Sequence, residues 1–206
     1  MSDQPTPLRL GFHGSPDVAL HIVRIAGWDP AAVSLGQYDI ADPFTELRRG
    51  EFDVMIVKFG LKEPDLACSR ALTYDARGAV VAADSPLAKQ DAISVEELAD
   101  QELFDRPGEM PQYVWDEVVP PHTPAGRPLH RRHRVTDIPA MMRLVAEGNA
   151  VHLSLISLAD VAPPTVRVVP VTGLPPAPVS LAWCNDRELP QHVRRFVAAA
   201  EAGAER

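Results

Sequence analysis

Strand-like and helix-like periods alternate from the first apolar run onward, and this alternation constrains the fold more than any other feature. "PLRLGF" (7–12) reads as a strand that runs into a turn at His13, Gly14 and Ser15. Ser15 suits a helix N-cap, with Pro16 at the first helical position. Val18, Leu20, Ile22, Val23 and Ile25 then recur at helical spacing from about Asp17 to Ala26, and Gly27 is the stop signal. "AVSLGQY" (32–38) is a second strand. Asp42 is the expected cap of "PFTELRR", a helix ended by Gly50, and "DVMIV" (53–57) is a short continuous apolar run of the buried parallel type. A β-α-β-α-β opening of this kind is expected to be right-handed and mostly parallel, which places the chain in the α/β class.

The middle of the chain reads differently. "LACSRALTY" (66–74) and "RGAVVAA" (77–83) read as two long strands. Ser94 and Glu97 have the spacing of a capping box. "ELF" (102–104) is strand-like, "MPQYVWDEVV" (110–119) suggests one or two helical turns, and "PPHTPAGRP" (120–128) is an exposed loop. After the strand-like "LHRRHRV" (129–135), Asp137 caps an amphipathic helix with Ile138, Met141, Met142, Leu144 and Val145 on its apolar side and Gly148 as terminator. Strands at 150–156, 165–171 and 179–184 and a closing helix at 189–202 complete the pattern. It divides into a polar tail (1–7), one lobe (8–75 plus 172–206) and a second lobe (76–171).

Composition excludes some function classes. With 28 acidic against 20 basic residues the formal net charge is −8, which opposes non-specific nucleic-acid binding, since that needs cations to neutralise phosphates. No apolar stretch reaches the roughly 18 residues of a membrane span, and the start "MSDQPTP" has no apolar signal core. A cytoplasmic protein is expected. Cys68 and Cys184 form no C-x-x-C motif and read as small buried hydrophobes. "HRRHR" (130–134) reads as a solvated basic strip. Its two histidines are three apart in a strand and point to opposite faces, so they make a poor chelate. No metal or cofactor is expected. "HGSPD" lacks the Lys-Ser/Thr pair of a phosphate loop and the spacing of a nucleophile elbow.

Several stretches resemble the effector-binding domain of LysR-type transcriptional regulators. "LRLGFHGSPD" matches that domain's opening. Leu47, Gly50 and Asp53 in "DPFTELRRGEFDVMIV" match its L-x-x-G-x-x-D segment. "VVAADSPLAKQDAISVEELAD" and "MMRLVAEGNAVHLSLIS" match two later segments, and "YVWDEVVPPHTPAGRP" resembles actinobacterial members. Ser85 stands where the family usually has histidine, Ala150 replaces a glycine, and Leu155 stands where proline is common. The resemblance implies the two-lobed type 2 periplasmic-binding-protein fold, with a small organic ligand, anionic or aromatic, in the cleft between lobes. It also implies a homodimer through helices 17–26 and 138–147. Family members carry an N-terminal winged helix-turn-helix. Here only "MSDQPTP" precedes the first strand, so the expectation is either a truncated piece of a longer regulator or, as favoured by the start at Met1, a stand-alone sensor or regulatory module without its own DNA-binding domain.

Carried onto this chain, the family's cleft residues are His13, Gly14, Ser15 and Pro16, Lys58 and Phe59, the segment from Pro107 to Tyr113, Thr136 and Asp137, and His152 with Ser154. A helix N-terminus offers unpaired N–H groups and partial positive charge. Ser15 could cap or bind a ligand oxygen, Lys58 could neutralise a carboxylate, and Phe59, Tyr113 and Trp115 could stack on a ring. The same positions permit core roles for Trp115 and His152. An enzyme that reuses the cleft, with His13 or His152 as acid/base near Ser15 or Ser154, is the alternative.

Overall fold

The computed structural model describes residues 7–134 and 137–204. They fall into two compact units, drawn from Met1–Asp39, Pro43–Tyr74 and Pro178–Arg206 for the first and from Ile40–Asp42 and Asp75–Ala177 for the second.

The first unit carries the expected parallel opening. Strands β1 (Leu8–Phe12), β2 (Val33–Gln37) and β3 (Val54–Lys58) lie in the order β2-β1-β3 and are parallel. Helix α1 (Pro16–Ile25) begins at Ser15, and Gly27 follows it with a left-handed backbone, φ 66°. The Leu47, Gly50 and Asp53 spacing has a physical basis. Leu47, on the short helix α2 (Thr45–Arg48), is buried, and Gly50 takes φ 73°. Asp53 receives the Arg9 backbone N–H at 2.8 Å and its Nη2 at 2.5 Å, which locks the start of β3 to β1. Burial alone would raise the Asp53 carboxyl, but the Arg9 hydrogen bonds and charge carry it below its ordinary value. Phe44 holds the N-cap position with no side-chain cap bond, and the helix is shorter than the sequence suggests.

The 66–74 run is broken into β4 (Leu66–Cys68) and β5 (Thr73–Asp75). Between them the Ser69 hydroxyl accepts the Leu181 N–H at 3.0 Å and donates to the Arg70 carbonyl at 2.8 Å, so a side chain takes over a ladder position. The sheet continues through β12 (Ala177–Cys184), antiparallel to both β3 and β4. Helices α1 and α5 (Gln191–Ala204) supply Ile22, Val23, Val193 and Phe196 to a core with Leu8, Leu10, Val54, Ile56 and Leu181. A Cβ at Gly203 would collide with the Ile25 carbonyl, so glycine permits the close approach of α5 to α1. Cys184 is buried as expected, but Cys68, on the edge strand, is exposed.

The second unit is built on β6 (Arg77–Ala82), which is buried along its whole length. It lies between β10 (His152–Leu155) and β11 (Val166–Thr172), antiparallel to both, and β7 (Ile93–Ser94) extends the sheet beside β11. The capping box is formed: Glu97 accepts the Ser94 N–H at 2.9 Å at the head of the short 3₁₀ helix Val95–Asp100. A parallel pair, β8 (Glu102–Asp105) and β9 (His130–Arg134), carries a bulge at Leu103/Phe104. Helices α3 (Gln112–Val118) and α4 (Ile138–Ala146) complete the unit. The basic strip on β9 is only half solvated. Arg131 turns inward to Asp116 at 2.8 Å, and His133 to Glu102 at 2.8 Å. No helix among the described residues is long and apolar enough to cross a membrane.

Candidate functional site

The first unit gathers six of the residues singled out in the sequence. Parallel pairing of β1 with β3 (Leu10↔Val54, Gly11↔Met55) brings both C-terminal ends out on one sheet edge, where open α/β sheets hold ligands. His13 follows β1 and Lys58 ends β3. Gly14 turns the chain with φ 78°, a conformation glycine adopts at little cost. Ser15, only 1 % exposed, accepts the Asp17 N–H at 3.1 Å and opens α1, with Pro16 in the first turn.

His13 is set apart by its surroundings. Burial pulls its imidazole down to about 4; the Tyr38 carbonyl, 3.4 Å from Nδ1, opposes that, and the Lys58 charge adds to it. The ring is therefore neutral at pH 7. Tyr38 is fixed in turn, its buried phenol donating to the Ile56 carbonyl at 3.1 Å. Phe59 is buried with φ 73°, and its N–H donates to the Pro178 carbonyl at 3.0 Å. For a residue with a Cβ this backbone costs about 1–2 kcal/mol, and such conformations persist where the surroundings enforce them.

The second unit holds the other described candidates on three elements. Tyr113 is half-buried on α3, two residues from Trp115, which is 4 % exposed. Trp115 stacks on His152 with ring centroids 6.2 Å apart, and Phe104 meets His152 edge-on at 5.4 Å. His152 is thus a core histidine between aromatic rings, and Trp115 is a core residue. Ser154, half-buried on the same strand, pairs opposite Gly78. Asp137 caps α4, accepting the Ala140 N–H at 2.7 Å. Thr136 lies outside the described residues. In the 107–113 segment, Arg106 donates to the carbonyls of Gly108 at 3.0 Å and Met110 at 3.1 Å, which folds that loop on itself.

Two residues of this unit escaped the sequence reading. Asp75, which ends β5, and Arg77, which begins β6, are both buried, and both lie at the junction of two runs that read as plain strands. The available signal was an arginine at the head of "RGAVVAA". Among the described residues no group of three or more His, Cys, Asp or Glu side chains could hold a metal ion.

The LysR substrate binding domain profile matches residues 31–205. The chain belongs to the LysR substrate-binding domain family. Solved LysR structures share its fold. CbnR, a LysR family transcriptional regulator, matches with a TM-score of 0.77 at 19 % identity over 96 % of this chain and 70 % of that one. The effector-binding domain of QuiR in complex with shikimate matches with 0.71 at 20 % identity, covering 97 % of both chains. The CcmR regulatory domain of Synechocystis PCC6803 in complex with 2-PG matches with 0.64 at 16 % identity, again over 97 % of both. No curated protein matches the chain in sequence. This LysR-family domain therefore has the two-lobed fold that its segment order implies.

Proposed function

We propose that this LysR-family domain is an effector-binding module for a small organic acid. In this reading the edge formed by His13, Gly14, Ser15, Pro16, Lys58 and Phe59 takes the carboxylate, and Tyr113, Asp137 and Ser154 of the second unit contribute the remaining contacts. The observation that carries it is the electrostatic division at the ends of β1 and β3. His13 is held neutral, so the positive charge comes from Lys58 and the N-terminus of the ten-residue α1. A neutral imidazole beside a cation and a helix terminus suits a single carboxylate. The effector-binding domain of QuiR in complex with shikimate and the CcmR regulatory domain in complex with 2-PG support a small-molecule effector. The module regulates transcription as part of, or together with, a DNA-binding chain. It pairs as a homodimer through 17–26 and 138–147.

The test is a thermal-shift series with shikimate, benzoate and succinate on the wild type and on Lys58→Met. At least one acid raises Tm in the wild type, and Lys58→Met loses most of that rise. A shift that Lys58→Met leaves intact contradicts the assignment of the carboxylate, and no shift with any of the three contradicts the small-acid reading. Size-exclusion with light scattering at micromolar concentration checks the dimer, and a monomeric mass refutes it.

A further inference from the structure

Helix α3 is too short to stand alone, because isolated helices below about 12–15 residues are marginal in water. It spans Gln112–Val118, its N-cap is Pro111 without a side-chain cap bond, and Val119 closes it in an extended conformation rather than with a left-handed glycine. Its last carbonyls are nevertheless satisfied. Arg77 on β6 donates to the Glu117 carbonyl at 2.9 Å and also to the Val118 carbonyl. Arg131 on β9 donates to the Val119 carbonyl and pairs with Asp116 at 2.8 Å. Guanidinium groups from two sheets thus converge on three successive carbonyls, at the end of the helix where partial negative charge collects.

Arg77 carries the heavier cost. It is 4 % exposed, and burial pulls its guanidinium down to about 10, against the raising influence of Asp75 and Glu117, so it stays charged at pH 7. A buried cation with a planar fork fixes geometry in a way a point charge does not. Its own strand is held to the neighbouring elements. Leu155 of β10 pairs opposite Arg77, the Ile156 N–H donates to the Ala76 carbonyl at 2.8 Å, and the Ser157 N–H donates to Asp75 at 3.3 Å. One side chain therefore ties α3, which carries Tyr113 and Trp115, to β6 at the place where β10, carrying His152 and Ser154, is anchored.

We propose that Arg77 is a positioning residue for the second unit's share of the effector site: it sets α3, and with it Tyr113, against β10. The assignment rests on the proposed function for what Tyr113 contacts, whereas the positioning itself is testable without a ligand. The experiment is hydrogen exchange by mass spectrometry on the whole chain, comparing the wild type with Arg77→Lys, Arg77→Met and Arg131→Lys. Lysine keeps the charge but cannot span two carbonyls. In Arg77→Lys and Arg77→Met, amides 115–119 exchange about tenfold faster or more, while those of β6, β10 and β11 keep their protection. Trp115 loses near-ultraviolet ellipticity as its stack on His152 loosens. If Arg77→Met does not fold, Arg77→Lys, with Arg131→Lys at the adjacent Val119 carbonyl, still decides the question. Unchanged exchange at 115–119, or equal loss of protection throughout the second unit, overturns the proposal. For whichever of shikimate, benzoate or succinate the wild type binds, Arg77→Lys weakens the affinity about tenfold at unchanged β6 protection. If the exchange moves and none of the three acids binds the wild type, the functional reading fails and the positioning role stands.

Discussion

Lowering the pH tests the His13 environment directly. In the unfolded chain His13 titrates near its ordinary 6.5, and in the folded chain at about 4. The folded pKa is depressed, so below 6.5 the unfolded state binds a proton that the folded state refuses. The stabilisation is complete above pH 6.5 and is lost as pH falls towards 4. The full displacement corresponds to about 3 kcal/mol, and by pH 5 about 2 kcal/mol of it has gone. His13→Gln keeps polarity and approximate size but cannot titrate. Urea unfolding followed by circular dichroism, at pH 7.5 and pH 5, measures the two slopes. The wild type loses about 2 kcal/mol more than His13→Gln over that interval. Equal losses in the two proteins would refute the claim that half-buried His13 is held neutral, and with it the assignment of positive charge to Lys58 and α1 alone.

Other substitutions probe the frame. Gly14→Ala forces a side chain into φ 78° and destabilises by about 1–2 kcal/mol; chemical denaturation reads the change, and no loss would place the turn in another conformation. Phe104→Ala removes a fully buried ring that meets both His133 and His152 and destabilises by about 3–5 kcal/mol. It also shifts Trp115 emission to the red, because His152 loses one of its two flanking rings; an unshifted spectrum contradicts the stacked arrangement.

Much of this architecture was legible in the residues, for local reasons. Ser15-Pro16, Asp137 and the Ser94/Glu97 pair are caps whose chemistry acts within one turn, and all three form. The run "DVMIV" reads as a buried parallel strand because it has no polar alternation, and it pairs in parallel with β1. What could not be read depends on distant partners. "PFTELRR" looks like a helix of seven residues, but α2 starts only at Thr45, with Phe44 in the N-cap position. The 66–74 run looks continuous, but the Ser69 hydroxyl accepts the N–H of Leu181, 112 residues away, in place of a backbone carbonyl. Cys68 looks buried in sequence and is exposed because β4 is an edge strand. In the candidate site, sequence singled out His13 but not its neutrality, which depends on burial and on the Tyr38 carbonyl. Arg77 passed unnoticed, because a cation at the head of an apolar strand gains its meaning only from the helix end it meets.

The most direct test of the effector-binding account is a backbone amide NMR titration with whichever small carboxylate raises Tm. The account predicts that the largest shift changes fall at residues 13–16 and 58–59 of the first unit and at Tyr113, Asp137 and Ser154 of the second, with Lys58→Met weakening them all together. Shift changes confined to one unit, or centred elsewhere on the chain, would contradict it.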